Sequence, residues 1–174
     1  MRPNAGELLH FSEDPTIRSF EPHVAATARQ PDAYVWAVDA EQAPAYWFPR
    51  QCPRAMAWSV PSTTGEDKLA VLGPSASRVH MIEYGWLGAM QSTQVFAYRF
   101  ASESFRRFGD AAWVSPEPVQ PLGAAEPVGD LLALHEAGGI ELRLVDDLAP
   151  WWRAVIVSTV QFSGIRLRNA RTPL

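Results

Sequence analysis

The stretch Leu8-Leu9-His10-Phe11-Ser12-Glu13-Asp14-Pro15 ends a short apolar run on an imidazole and then drops into capping residues. A histidine at a strand end can meet a ligand hydroxyl or phosphate, because a neutral imidazole keeps one lone pair. The competing reading bonds His10 to a neighbouring carbonyl, and Ser12 reads first as a cap. A second stretch, Phe48-Pro49-Arg50-Gln51-Cys52-Pro53-Arg54, brackets the single cysteine with two arginines. Arg50 and Arg54 could clamp a phosphate pair through forked hydrogen bonds, lower the thiol pKa, or form surface ion pairs. Cys52 has no evident histidine partner to activate it, so a buried thiol is expected there rather than a nucleophile. Trp36, Tyr46 and Trp47 are large enough to stack on a flat ring or simply to fill a core. From Pro150 to Leu174 the chain carries Arg153, Arg166, Arg168 and Arg171 and no acid. That local basic face suits phosphate, RNA, a protein partner or the protein's own acidic surface.

These groups need short elements to hold them. Leu8 to Phe11 reads as a strand, and Ser12 caps a helical turn through Glu13, Asp14 and Pro15, with Ile17 and Phe20 facing inward. Glu13 and Asp14 suit the positive end of that turn. Residues 21–32 read as a loop. Tyr34 to Val38 is a strand, and Asp39 caps a helix from Ala40 to Phe48 that Pro49 ends. Arg54 to Val60 alternates as a strand, and residues 62–66 cap a helix that runs to Leu72. Val79 to Glu83 and Thr93 to Phe100 read as strands around a short turn at Trp86 and Leu87. Trp113 to Ser115 and Val119-Gln120 are strand pieces broken by Pro116 and Pro118, as at a sheet edge or bulge. Gly129 to Ala137 is helical, Gly138-Gly139 stops it, Ile140 to Val145 is a strand, and Pro150 opens a helix to about Phe162. This order predicts an α+β fold, a single domain over residues 1–174 with a small split mixed sheet and flanking helices.

Composition narrows the function classes. With 174 residues, 47% of them hydrophobic, the chain can bury a sizeable core. A net charge of −4 gives the surface as a whole no general grip on nucleic acid or anionic lipid. One cysteine excludes an intrachain disulfide framework, and His10, His23, His80 and His135 lack ligand spacing, so no metal is expected. No apolar run has the length of a signal peptide or of a membrane span, so a cytoplasmic protein with no membrane partner is expected. A Gly-rich phosphate loop, a nucleophile elbow and a paired-histidine metal helix are all missing from the sequence.

The segments "LLHFSEDPTIRSFEP", "YVWAVDAEQAPAYWFPRQCPR", "AAWVSPEPVQPL", "GIELRLV" and "STVQFSGIRLRNA" together resemble an uncharacterised bacterial family of domain-of-unknown-function proteins. More distantly, the order of three motifs is similar to the ADP-ribosyltransferase-like fold of the histidine–tyrosine–glutamate type. That resemblance implies NAD or a related nucleotide as ligand. His10 would bond a ribose, Trp36 with Tyr46 or Trp47 would sandwich a flat ring, and Arg50 or Arg54 would meet the diphosphate. Trp113 and Ser115 match typical neighbours of the family's glutamate. The chain departs from the pattern where that acid is expected, because Ala112 stands before Trp113. An apolar side chain cannot hydrogen-bond a ribose or stabilise an oxocarbenium charge. Glu117 and Asp110 are the nearest substitutes, with His10 and Glu117 as the catalytic pair if transfer occurs. The alternative is a non-enzymatic nucleotide- or RNA-binding or protein-interaction module that uses Arg166, Arg168 and Arg171.

Overall fold

The computed structural model describes residues 1–24, 32–109 and 112–174. In chain order the strands are β1 (Glu7–Ser12), β2 (Val35–Ala37), β3 (Arg54–Trp58), β4 (Arg78–Glu83), β5 (Phe96–Ala101), β6 (Arg106–Phe108), β7 (Ala112–Ser115), β8 (Glu126–Pro127), β9 (Glu141–Val145) and β10 (Gln161–Ile165). The helices are α1 (Gly65–Asp67), α2 (Leu87–Ser92), α3 (Leu131–Ala137) and α4 (Ala149–Ile156). The architecture is mixed α+β, with three small sheets among the described residues. Contacts gather the chain into two compact units, Met1–Trp47 with Gln94–Gly129, and Phe48–Thr93 with Asp130–Leu174.

The first unit holds two antiparallel sheets, in the orders β1-β5-β8 and β2-β7-β6. Leu8, His10 and Ser12 oppose Phe100, Tyr98 and Phe96, so strand alternation puts these six side chains on one face of β1-β5. Leu8, Tyr98 and Phe100 pack with Phe20, Val35, Ala37, Phe105 and Val119 into one apolar core, with Ile17 and Trp113 against it. A single bridge, Leu9 to Val38, joins β1 to the end of β2. Arg99 on β5 donates to Glu7 at 2.7 Å and Glu126 at 2.8 Å, tying β1 and β8 to the central strand.

The second unit is built on the sheet β10-β3-β4-β9, antiparallel except for the β4-β9 pair. On one face Ala57 and Val79 pack with Val71, Leu72, Val155 and Val160, against Trp151 and Trp152 of α4. Gly164 on β10 lets the Trp152 ring and Leu167 approach, since a Cβ there would lie 2.4 Å from Leu167 and 2.8 Å from Trp152. After α1 the chain continues as a π-helical turn, Lys68–Leu72, ended by Gly73 at φ 86°. Arg143 of β9 donates to the carbonyls of Val71 and Leu72, capping the acceptors that such a turn leaves over. Glu83, buried at the end of β4, accepts the backbone N–H groups of Leu148 and Arg171, which fastens the C-terminal segment.

Several elements differ from the sequence expectation for physical reasons. Residues 13–15 form no helical turn; the Ser12 hydroxyl accepts Asp14 N–H in a tight turn instead. The helix expected from Ala40 to Phe48 shrinks to a 3-10 turn, Ala43–Tyr46, with Asp39 Oδ1 accepting the N–H groups of Glu41 and Gln42. Val119 makes only a bridge to Phe20, and the strand in that region is β8. The C-terminal helix stops at Ile156, because Val160 turns into the core and the Gln161–Ile165 run pairs with β3 as β10. The loop expected at residues 21–32 includes residues 25–31, which lie outside the described ones.

Candidate functional site

His10 is half-buried on the core-facing side of β1, with its ring 4.8 Å from that of Phe20. Its Nδ1 lies 2.8 Å from the carbonyl oxygen of Trp36. A carbonyl only accepts, so the neutral ring carries its proton on Nδ1 and presents Nε2 as the lone-pair nitrogen. This is the carbonyl bond of the competing reading, made here by a ring that is half-buried rather than fully enclosed, and it fixes the tautomer and orientation of the imidazole. Ser12 is buried and its hydroxyl serves the turn at Asp14.

The aromatic residues divide between two faces. In the β2-β7-β6 register Trp36 opposes Val114 and Arg106, while Ala37 opposes Trp113 and Arg107. Alternation then places Trp36 on the face with Ala112 and Phe108, and Trp113 on the face with Val35, Ala37 and Ser115. Val35 and Ala37 enter the core that His10 borders, so Trp113 shares His10's side and Trp36 points away from it. Trp36 packs edge-on against Tyr34 and Phe108, with its indole N–H buried and without a hydrogen-bond partner. Tyr46 lies parallel to Phe11, centroids 6.1 Å apart. Trp113 donates to Asp39 at 3.2 Å and carries the Arg107 guanidinium 5.4 Å above its ring.

At the third motif, Ala112 is half-buried in β7 and supplies no acid. Ser115 is buried, donating to the Glu117 carbonyl at 3.0 Å and accepting Glu117 N–H. Ser115 thus shapes the Pro116-Glu117-Pro118 turn, and Glu117 itself is exposed. Asp110 lies outside the described residues.

Arg50 and Arg54 belong to the second unit. Arg54 is buried, donates to the Cys52 carbonyl at 3.0 Å and covers the Phe48 ring, whereas Arg50 is exposed. Cys52 is fully buried, and desolvation pushes its thiol up to about 12 against the opposing pull of Arg54. This matches the inert buried thiol expected from the sequence. Arg166 holds the left-handed conformation at φ 56° and its Nε donates to the Arg50 carbonyl, joining the two basic stretches. Arg171 is turned away to Asp146.

The sequence reading missed His80 and His135. They lie 55 positions apart, yet His80 Nδ1 and His135 Nε2 meet at 3.0 Å inside the second unit. The one available signal was His80 itself, a histidine inside a strand of buried residues, which requires a polar partner.

The fold and these groups define the chain as a mixed α+β protein with a carbonyl-anchored histidine bordering an aromatic core. Within that class it belongs to a family of unknown function, DUF6886, which matches residues 9–170. No curated protein and no solved structure matches it. Among the described residues no helix is long and apolar enough to cross a membrane.

Proposed function

We propose that the first unit binds a nucleotide of the NAD class in an ADP-ribosyltransferase-like arrangement, with His10 Nε2 accepting a ribose hydroxyl. The observation that carries this reading is that His10, although bonded to the Trp36 carbonyl, stays half-buried at the edge of the core on the side that Trp113 shares. Strand adjacency supports it: the three motif strands run side by side, β1 bridged to β2 and β2 paired with β7. The flat ring is assigned to Trp113, which shares His10's side, in place of Trp36. Ala112 removes the acid that transfer needs, and the exposed Glu117 stands in a turn, so the reading is binding without efficient turnover. Equilibrium dialysis against NAD, ADP-ribose and nicotinamide tests it. NAD and ADP-ribose should be retained by the wild type, and His10→Ala or Trp113→Ala should lose most of that retention. Equal retention in all three proteins would refute the assignment.

A second reading rests on Arg166, whose bond to the Arg50 carbonyl joins two basic stretches of the second unit. With Arg168 exposed beside it and no acid after Asp147, this surface suits an RNA phosphate or another anion. Arg171, paired with Asp146, does not contribute. Arg166→Ala with Arg168→Ala should abolish binding of a short RNA while leaving NAD retention unchanged; unaltered RNA binding would dismiss this surface.

A further inference from the structure

The second unit contains a chain of four polar groups whose proton positions are fully determined. Arg78 Nε–H can only donate, and it lies 2.9 Å from His80 Nε2, which must therefore accept. His80 then carries its proton on Nδ1 and donates to His135 Nε2 at 3.0 Å. His135 in turn carries its proton on Nδ1 and donates to the Leu131 carbonyl at 2.7 Å. Read from the carbonyl backwards, the same assignment results. Each imidazole uses one nitrogen to donate and one to accept, a pattern that only the neutral ring can supply. His80 is 0% and His135 1% exposed, and Phe48 packs on both rings. Water cannot readily replace a bond that breaks here.

We propose that this chain is an acid-released latch: it holds α3 against β4 while both imidazoles are neutral and opens when either one takes up a proton. Protonating His80 turns Nε2 into a donor facing the Arg78 N–H, and protonating His135 turns Nε2 into a donor facing the His80 N–H. Either event sets two donors against each other in a buried site. The charged surroundings reinforce the effect from each side. Arg78 lies on β4 itself, Arg54 on β3 acts on His80 from the neighbouring strand, and α3 contributes His135. β9 presents Leu142 opposite His80, and Glu83 of β4 points to the other face and is engaged by Leu148 and Arg171. Burial holds both imidazoles below their ordinary range; at His80 the Arg78 guanidinium is the next cause, and at His135 the Leu131 carbonyl opposes the shift by more than Arg78 adds to it. A group with a depressed folded pKa favours the closed state above its unfolded value. That preference is lost as pH falls from about 6.5 towards the folded value.

Hydrogen exchange of the α3 amides, residues 131–137, measured from pH 7.5 to 4.5 and corrected for intrinsic rates, tests the latch. With two protons taken up on opening, the open-to-closed ratio should rise by up to about 100-fold per pH unit below about pH 6.5. His135→Gln can still accept from His80 and donate to Leu131 but does not titrate, so its slope should fall to about 10-fold per unit. His23→Gln, at an exposed site, should keep the wild-type slope. A ratio that is flat with pH, or an equal slope in the wild type and His135→Gln, would overturn the proposal. If His135→Gln does not fold, imidazole ¹⁵N spectra of the wild type decide. Protons held on both Nδ1 atoms until α3 opens support the latch, and rings that titrate while α3 stays protected refute it.

Discussion

A histidine whose one N–H is taken by a main-chain carbonyl offers chemistry only through its other nitrogen, and at His10 the carbonyl belongs to Trp36. Position 10 stood out in the sequence because a polar ring ending an apolar strand needs a partner. The identity of that partner was not visible, because it is a main-chain atom 26 positions away. Strand alternation also decides which aromatic residue shares His10's side. The motif order pointed to Trp36, and the register of β2 against β7 puts Trp113, not Trp36, on His10's side. Cys52 gives a separate residue-scale prediction. With its thiol at about 12, the thiolate fraction at pH 8 is about 10⁻⁴, so iodoacetamide should label native protein roughly 10³-fold more slowly than an unperturbed thiol. Labelling at the rate of a free cysteine would contradict that burial.

Short elements hold the second unit together through a few shape and capping contacts, and these make its weak points predictable. Gly164→Ala drives a methyl group into Leu167 and Trp152, and it should destabilise the protein by about 1–3 kcal/mol in urea unfolding. An unchanged midpoint would mean that Trp152 and Leu167 do not pack on Gly164 as closely as described. Arg143→Ala strips donors from the Val71 and Leu72 carbonyls and should also cost about 1–3 kcal/mol. Most strands of this unit were legible, since Arg54 to Trp58 and Glu141 to Val145 carry β-branched or apolar residues between clear turns. β10 was not legible, because Gln161-Phe162-Ser163-Gly164-Ile165 looks neither periodic nor strongly strand-forming. Its pairing with β3 decides its state instead.

At the scale of the whole molecule, element order was enough to anticipate the mixed α+β architecture, while the family of unknown function came from the resemblance of particular segments, in line with the match over residues 9–170. The grouping into two compact units was not legible, because each unit is assembled from two separate lengths of chain with no linker composition between them. Charge placement predicts the acid behaviour of the whole protein. His80 and His135 sit below their ordinary range, so global stability should be full above about pH 6.5 and decline below it. Arg99, through its hydrogen bonds, holds Glu126 below the usual carboxylate range, and the Ala149 N–H does the same for Asp147. Their contributions persist above the ordinary carboxylate pKa and disappear as pH falls through the lowered folded values. Urea midpoints recorded from pH 8 to 3 should therefore show two successive losses, and a single loss confined to the carboxylate range would contradict the buried neutral histidines. The nucleotide reading is tested most directly by the thermal midpoint of the pure protein with and without millimolar NAD, alongside His10→Ala, each compared with its own ligand-free value. At 100 times the dissociation constant the ligand adds about 2.7 kcal/mol, enough to move the midpoint by several degrees. A shift in the wild type that His10→Ala abolishes is the predicted result; no shift in either protein, or an equal shift in both, would contradict a nucleotide held by His10.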